Sequence, residues 1–357
     1  MLDIISKKIK NKWQKNILDW YSSNKRFLPW REKQNQNFFS IWISEIMLQQ
    51  TQVKTVIPYY LKFKKKYPDV ESLSDASIND ILEIWQGLGY YRRVKNLHET
   101  AKLLKNNEYK DYDEIIKLPG IGSYTAAAIS AILYNGKHAV IDGNIKRILI
   151  RAFNIDQSDK KNKSIINKIA QELTPLNNKD YCQAMMDLGS IICKPKKPKC
   201  NICPVISCCK YLESSKTLEV AKKKKINKKV RKVGVTFYIQ SSSDVFIQTS
   251  KSNFLHGLTK FPLSNLVRVT KIIDEDTIFG KLKKEWMEKH KININDNYLG
   301  YVKHNFTAFN LKLYIVKINL YNKKMLNLEG NWCDYKNLGK NPFSKLMQKV
   351  KHVVEIH

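Results

Sequence analysis

The chain has 357 residues, and 63 Lys or Arg against 32 Asp or Glu give it a formal net charge of +31. No uncharged apolar run of about 18 residues occurs, which excludes a transmembrane helix, and so long a chain suits two or three domains. The charge favours a polyanionic partner such as nucleic acid, although a compositional bias toward Lys, Asn and Ile explains part of the surplus.

Residues 1–215 carry apolar side chains mostly at the spacing of amphipathic helices, which predicts a helical first domain. The predicted helices are Ile9–Tyr21, Phe38–Gln50, Val53–Tyr67, Ile78–Trp85, Arg93–Leu104, Asp113–Lys117, Tyr124–Leu133 and Asn144–Phe153.

Glu45 lies in the second predicted helix, where its spacing places it on one stripe with Ile41 and Leu48. A carboxyl group on an apolar face is costly unless it is paired or protonated, and burial raises the pKa of a glutamate into the range of a general acid. A buried glutamate that is hydrogen-bonded to Arg26 or Arg31 is the alternative, and the pattern alone does not choose between them.

The string LPGIGSYTA at residues 118–126 separates two predicted helices. Gly120 and Gly122 permit a tight turn, and backbone N–H groups at the start of the next helix suit a phosphate. An ordinary helix–turn–helix joint is equally compatible with these residues. Further along, Asp142 precedes a predicted helix, where it can act as an N-cap and equally as a fixed negative charge.

Five of the seven cysteines lie between Cys193 and Cys209, and four of them have the spacing Cys193-x6-Cys200-x2-Cys203-x5-Cys209. The start of the chain lacks an apolar signal core, so we expect a reducing cytoplasmic location and metal ligation rather than disulfides. Four thiolates suit tetrahedral zinc or a 4Fe–4S cluster, and the spacing alone leaves both open.

The composition and the apolar pattern of the sequence change after the cysteine segment. Residues 216–232 are rich in Lys and Arg and predict a basic linker, either a solvated tether or a DNA clamp. Residues 233–357 predict an α+β domain, because short β-rich runs follow one another. These runs are Val233–Gln240, Val245–Thr249, Asn297–Lys303 and Leu311–Leu320.

Four motifs together resemble the MutY-type adenine glycosylases, members of the endonuclease III superfamily of helix–hairpin–helix DNA glycosylases. They are RFLPWR at 26–31, WISEIMLQQTQV at 42–53, GLGYY at 87–91, and the hairpin string with an aspartate 20 residues after Gly122. The resemblance is strong over residues 10–215 and weak beyond them. It also favours 4Fe–4S over zinc, because the family's iron–sulfur loop has the same cysteine spacing.

The resemblance implies a role for each motif residue. Glu45 would be the proton donor and Asp142 would stabilise the transition state, with Tyr124 and Asn144 in support. Residues expected to contact DNA are Arg26, Gln50, Thr51, Tyr90, Gly120 and Gly122. Lyase-active relatives carry a lysine nucleophile where this chain has Tyr124, so we expect a monofunctional glycosylase.

The last domain would be Nudix-like and would read 8-oxoguanine opposite the adenine. Its string at 254–262, FLHGLTKFP, departs from the family pattern, with Thr259 and Lys260 in place of Trp and Glu. Phe306 and Thr307 would contact the oxidised guanine, whereas Ala308 replaces the family's histidine.

The expected function is therefore hydrolysis of the N-glycosidic bond of adenine opposite 8-oxoguanine or guanine. The expected partner is double-stranded DNA, and the chain would act as a nucleoid-associated monomer without a membrane. Alternatives are an endonuclease III-like lyase and a non-catalytic DNA-binding iron–sulfur protein.

Overall fold

The computed structural model describes residues 4–156, 162–211, 229–251, 254–255, 257–269, 274–292, 296–306 and 308–357. These residues belong to two compact units, Met1–Asp75 with Asn96–Lys223 and Ala76–Lys95 with Lys224–His357. Three predicted features lie outside the described residues, namely residues 216–228 of the basic linker, His256 and Thr307. Among the described helices, none has the length and apolar character needed to cross a membrane.

Helices dominate residues 4–211, as predicted, and each predicted helix is confirmed with differences only at its ends. In chain order they are α1 (Lys7–Asn24), α2 (Phe38–Leu48), α3 (Val53–Lys66), α4 (Val70–Ser74), α5 (Ile78–Trp85), α6 (Arg92–Leu104), α7 (Tyr112–Ile115), α8 (Ser123–Tyr134), α9 (Gly143–Ala152), α10 (Asn162–Leu173) and α11 (Asn178–Ile191).

The packing of the first unit places α2, α8 and α9 around one region. α11 packs against α1, α8 and α9, and α2 packs against α3 and α8. α2 is capped by Asn37, whose side chain accepts a hydrogen bond from the Ser40 amide at 2.9 Å, and nearly all of its residues are buried. A buried helix whose neighbours are fixed on several sides holds its side chains in place.

The second unit is built on a mixed sheet. Its strands are β1 (Val230–Ser241), β2 (Asp244–Thr249), β3 (Thr259–Lys260), β4 (Val267–Arg268), β5 (Asp296–Asn305), β6 (Phe309–Asn319) and β7 (Asn331–Asp334). The order is β3-β2-β1-β6-β5, with β4 beside β1 and β7 beside β2. β1 and β6 run parallel from Val230↔Phe309 to Gln240↔Asn319, and β5 pairs antiparallel with β6.

Helices cover both faces of this sheet, so the predicted α+β class is confirmed. The Glu275–Lys289 helix packs on one core, where the Trp286 ring stacks on Phe237 with centroids 3.7 Å apart. The Lys345–Ile356 helix packs on the other core, which includes Tyr238. Alternate residues of β1 serve the two cores, as expected for a strand that is buried on both faces.

The predicted end of the basic linker is wrong. Val230, Arg231 and Lys232 are not part of a tether but form the start of β1, where they pair with β6, and Lys232 also pairs with Arg268. Backbone pairing with a strand some 80 residues later overrides the basic composition from which the linker was predicted.

Candidate active site

Glu45 lies on α2 and is buried, since only 3% of the residue's surface is exposed. Its Oε2 atom has no hydrogen-bond partner among the described residues. Burial raises the pKa of Glu45 from 4.5 to about 7. The Tyr124 hydroxyl lowers this pKa, the Asp142 carboxylate raises it, and Arg31 lowers it to a smaller extent. A glutamate with a pKa of about 7 can both donate and accept a proton near neutral pH.

Tyr124 and Asp142 lie within electrostatic reach of Glu45. Tyr124 stands at the start of α8, where it donates a hydrogen bond to the Met186 sulfur at 3.3 Å. Burial raises the pKa of its hydroxyl well above 10, and the charges of Glu45 and Asp142 raise it further. The three side chains therefore influence one another electrostatically.

Asp142 is held by the first turn of α9. Its Oδ1 accepts the Ile145 amide at 2.7 Å, so the N-cap interpretation is confirmed, and its Oδ2 accepts the Asn144 side-chain amide at 2.8 Å. Both carboxylate oxygens are thus hydrogen-bonded, which fixes the direction of the negative charge.

The contacts of Asn144 continue to the cysteine segment. Arg147 donates to the Asn144 Oδ1 at 3.1 Å, to the Gly189 carbonyl at 2.7 Å and to the Cys193 carbonyl at 2.9 Å. Arg147 therefore connects the residues around Asp142 to the start of the cysteine segment. Arg147 is a site residue that was not predicted from the sequence. Its position one turn after Asn144 on a predicted helix is the signal that could have indicated it.

The alternative in which Glu45 is bonded to Arg26 or Arg31 is wrong. Both guanidinium groups bind Asp187 on α11 instead, with Arg26 Nη2 at 2.6 Å from Oδ1 and Arg31 Nη1 at 2.7 Å from Oδ2. Burial alone would raise the pKa of Asp187, but hydrogen bonds and charge from Arg31 and Arg26 hold it below its usual value. Asp187 is a site residue that the sequence analysis missed.

A cavity borders Glu45. Apolar side chains such as Trp30, Leu48 and Met186 line it together with Gln183 and the two arginines. Its volume is about 40 Å³, a few times the roughly 10–15 Å³ that a cavity needs to hold one water molecule. A purine ring would enter only after these walls moved apart.

The cysteines of the predicted metal site border one further cavity. Cys193, Cys200, Cys203 and Cys209 all line it, whereas Cys208 does not. All are free thiols, and Arg151 donates to the Cys193 sulfur at 3.4 Å. Within the described ranges, no group of three or more His, Cys, Asp or Glu side chains is arranged to hold a metal ion.

The two hairpin glycines differ in their structural need for glycine. Gly120 has φ +76°, and a Cβ there would lie 2.7 Å from the Asn96 Cβ, so a side chain is excluded. Gly122 has φ −95° and caps α8, and a Cβ there would meet no described atom within 4 Å. Only Gly120 is therefore required by the fold itself.

The remaining predicted DNA contacts are on the surface. Gln50 is exposed with φ +57°, directly after α2, and the Thr51 amide donates to the Leu48 carbonyl at 3.1 Å. Tyr90 belongs to the second unit, has φ +52° and is 43% exposed. Non-glycine residues seldom adopt positive φ, so both side chains project from strained turns.

Phe306 lies in an aromatic cluster of the second unit. Its ring contacts Phe254, His304 and Phe309, with centroids 5.3, 4.5 and 4.9 Å away. Lys229 donates to the Phe306 carbonyl at 2.9 Å, and Ala308 is exposed. Part of the surface of the Phe306 ring is therefore covered by other side chains of this unit.

Several known proteins are similar to this chain. A family model for "HhH-GPD superfamily base excision DNA repair protein" matches residues 43–175. The chain is 36% identical over 344 residues to the adenine DNA glycosylase of Buchnera aphidicola subsp. Baizongia pistaciae, covering 94% of this chain and 95% of that relative. It is also 38% identical over 209 residues to the adenine DNA glycosylase of Homo sapiens, covering 55% of this chain and 38% of that protein.

Two solved structures resemble the fold. A thermostable thymine-DNA glycosylase matches with a TM-score of 0.53 and 29% identity, covering 58% of this chain and 98% of its own. An endonuclease III trapped with DNA matches with a TM-score of 0.51 and 18% identity, covering 60% of this chain and 100% of its own, which supports the fold alone. By its full-length similarity to curated relatives and its repair-family domain, the chain belongs to the adenine DNA glycosylases of base excision repair.

Proposed function

We propose that this adenine DNA glycosylase removes adenine that is mispaired with 8-oxoguanine or guanine in double-stranded DNA. The observation that carries the chemistry is the buried Glu45, whose pKa burial raises to about 7, beside the carboxylate of Asp142. The choice of mispair is supported by the resemblance of the second domain's motifs to those of the MutY type, with the departures at Thr259, Lys260 and Ala308.

In this proposal the adenine leaves the base stack and enters the cavity beside Glu45 as its walls open. Glu45 in its protonated form donates a proton to the leaving adenine at N7, and the C–N bond breaks toward an oxocarbenium ion. The Asp142 carboxylate stabilises this cation electrostatically, and its two fixed hydrogen bonds keep it from turning away. Glu45, now ionised, takes a proton from the water that attacks the sugar.

The reaction would stop at base removal. A lyase step needs an amine that forms a Schiff base with the sugar, and position 124 offers a phenol whose pKa burial raises well above 10. Strand cleavage would then require later treatment with alkali or another enzyme.

Contacts with the DNA would come from both units. The hairpin amides after Gly120 and Gly122 would bind a backbone phosphate, for which the open space at Gly122 leaves room. Gln50, Thr51 and Tyr90 would contact the duplex beside the lesion, and Arg26 would act from the wall of the cavity. Phe306 and Thr307 would face the base opposite the adenine.

We further propose a 4Fe–4S cluster on Cys193, Cys200, Cys203 and Cys209. The type and number of donors support this proposal, because four free thiols border one cavity that Cys208 does not line. When bound, the cluster would order this segment and take no part in hydrolysis. The chain would act as a cytoplasmic, nucleoid-associated monomer, with residues 216–228 as a basic connector.

Parallel assays on duplexes with one labelled adenine strand test this function. We expect adenine loss from A:8-oxoguanine and A:G duplexes and little from A:T, with strand breaks only after alkali. Direct strand scission would instead indicate a lyase, and binding without base loss would indicate a non-catalytic protein. An A:T duplex of the same sequence is the matched control.

A further inference from the structure

The turn that presents Tyr90 is conformationally demanding. Gly87, Gly89 and Tyr90 all have positive φ, at +102°, +74° and +52°. Such a turn persists only where its surroundings determine it, because the tyrosine conformation is disfavoured on its own. Two hydrogen bonds hold the Gly89 carbonyl, from Trp85 Nε1 at 3.2 Å and from Arg93 Nη2 at 3.1 Å. The Arg93 guanidinium also lies 5.5 Å from the centre of the Tyr90 ring.

Gln86 immediately precedes this turn and caps the end of α5. Both ends of its side-chain amide are bonded to distant residues of the same unit. Its Oε1 accepts a hydrogen bond from Gln348 Nε2 at 2.9 Å, and its Nε2 donates to the Asn341 carbonyl at 3.3 Å. These partners are 255 and 262 residues later in the chain.

The partners of Gln86 are themselves well anchored. Gln348 lies on the Lys345–Ile356 helix, whose Met347 and Val350 side chains are fully buried in the core beneath the sheet. The Asn341 carbonyl also accepts the Phe343 amide at 2.8 Å, and Phe343 stacks on Phe261 in the same core. Gln86 therefore ties the start of the turn to the rigid part of the second unit.

The apolar face of α5 does not need these bonds in order to be buried. Ile81, Leu82, Ile84 and Trp85 are each less than 5% exposed. The two bonds of Gln86 act instead at the residue where the chain leaves the helix and enters the turn that carries Tyr90.

We propose that Gln86 is a positioning residue through which the domain that reads the base opposite adenine holds Tyr90 ready to enter the duplex. The inference rests on the proposed function, in which Tyr90 contacts the DNA beside the lesion. Because the turn and the aromatic cluster around Phe306 belong to one unit, recognition of the opposite base and the contact of Tyr90 with the duplex would be supported by the same part of the molecule.

The test uses the full chain and a duplex that carries 2-aminopurine next to the 8-oxoguanine of an A:8-oxoguanine pair. The fluorescence of 2-aminopurine rises when the base loses its stacking partner, and the part of the rise that is lost in Tyr90→Ala reports the contact of Tyr90 with the duplex. We expect Gln86→Ala and Gln348→Ala each to reduce the fluorescence rise and to slow single-turnover excision by about threefold to tenfold, the usual worth of one or two neutral hydrogen bonds. Gln248→Ala is the matched control, because Gln248 Nε2 also donates to a backbone carbonyl of this unit, that of Glu329 at 2.8 Å.

A charge-pair variant, Gln86→Glu with Gln348→Lys, rebuilds the bond to position 348 but loses the donor to the Asn341 carbonyl, so it should restore both signals in part relative to Gln86→Ala. If Gln86→Ala also lowers the unfolding temperature, the result with Gln348→Ala is used to judge the proposal. Gln348 is exposed, so its truncation leaves the core intact. Normal fluorescence and excision in Gln348→Ala, with Tyr90→Ala defective, would overturn this inference alone. Normal behaviour of Tyr90→Ala would instead overturn the DNA-contact role of Tyr90 on which it rests.

Discussion

Two buried carboxyl groups of the first unit have opposite surroundings. Glu45 is 3% exposed and its Oε2 has no hydrogen-bond partner among the described residues, whereas Asp187 is fully buried and binds two arginines. Burial raises the pKa of Glu45 to about 7, and the arginines hold the pKa of Asp187 below its usual value. Burial is common to both, so the partners decide the protonation state.

Of these two carboxyl groups, Glu45 is the proposed proton donor, and Asp187 binds two arginines. Asp187 binds Arg26 and Arg31, which line the cavity beside Glu45. Without Asp187, these arginines would be free to pair with Glu45. By occupying both guanidinium groups, Asp187 leaves Glu45 to exchange a proton.

Glu45→Gln should have the largest effect, since it removes the only one of the two groups that can donate a proton at neutral pH. We expect single-turnover adenine excision to fall by about 10²- to 10⁴-fold, the usual contribution of a general acid. Binding to the same duplex, measured by fluorescence anisotropy, should be nearly unchanged. Excision within about tenfold of the parent would contradict the assignment of Glu45 as the acid.

Asp187→Asn should destabilise the folded chain. It leaves two guanidinium groups at a buried site without their shared anion, so we expect the free energy of unfolding to fall by about 3–5 kcal/mol. Urea denaturation measures this loss. Asp180→Asn on the same helix is the control and should have little effect; a neutral result at position 187 would mean that the arginines find other partners.

The two groups should contribute to stability with opposite dependence on pH. Since the pKa of Glu45 is raised from 4.5 to about 7 on folding, its contribution is fully present below about pH 4.5 and is lost as the pH rises through about 7, roughly 3 kcal/mol in total. The pKa of Asp187 is lowered, so its contribution is present at neutral pH and is lost as the pH falls through that lowered value.

Unfolding curves of the parent and Glu45→Gln between about pH 5 and about pH 8 separate these contributions. The unfolding free energy of Glu45→Gln, relative to that of the parent, should rise with pH across this interval. A constant difference between the two proteins would show that Glu45 keeps its ordinary pKa in the folded chain.

Tyr124→Phe should give the smallest effect. The Tyr124 hydroxyl lowers the pKa of Glu45, so its removal should raise that pKa. The difference between the pKa values of Glu45 and Asp187 should then increase. The rate of excision, which falls above the pKa of the acid, should then stay high to a higher pH. The pH–rate profile of Tyr134→Phe, an exposed tyrosine on the same helix, is the control, and an unshifted midpoint in Tyr124→Phe would show that its hydroxyl does not act on Glu45.

The sequence predicted the helices, because each lies on a strongly patterned element, whereas the shared role of Glu45, Tyr124 and Asp142 came from the family resemblance and stays a prediction. It did not predict Asp187, whose arginine partners are 156 and 161 residues away in the chain. Which buried acid takes which arginine is decided by the packing of α11, and local pattern carries no record of that choice. The likeness of the second domain to a Nudix fold still rests on its motif resemblance.

Longer-range pairing explains the other differences. The basic residues at 230–232 look like a tether until β6 is available to pair with them. Likewise, nothing around Ala76–Lys95 indicates that it belongs with residues beyond 224, since the side chains that hold Gln86 are found more than 250 positions later.

That separation has a consequence for synthesis on the ribosome. Gln86 emerges 262 residues before Gln348, an interval of roughly 10 to 50 s at ordinary rates of elongation. During that time the catalytic helices on either side of Ala76–Lys95 are already made, while the segment between them waits for its partners. The helices that carry Glu45, Tyr124 and Asp142 are therefore synthesised before Gln86, at the start of the Tyr90 turn, can bond to Asn341 and Gln348.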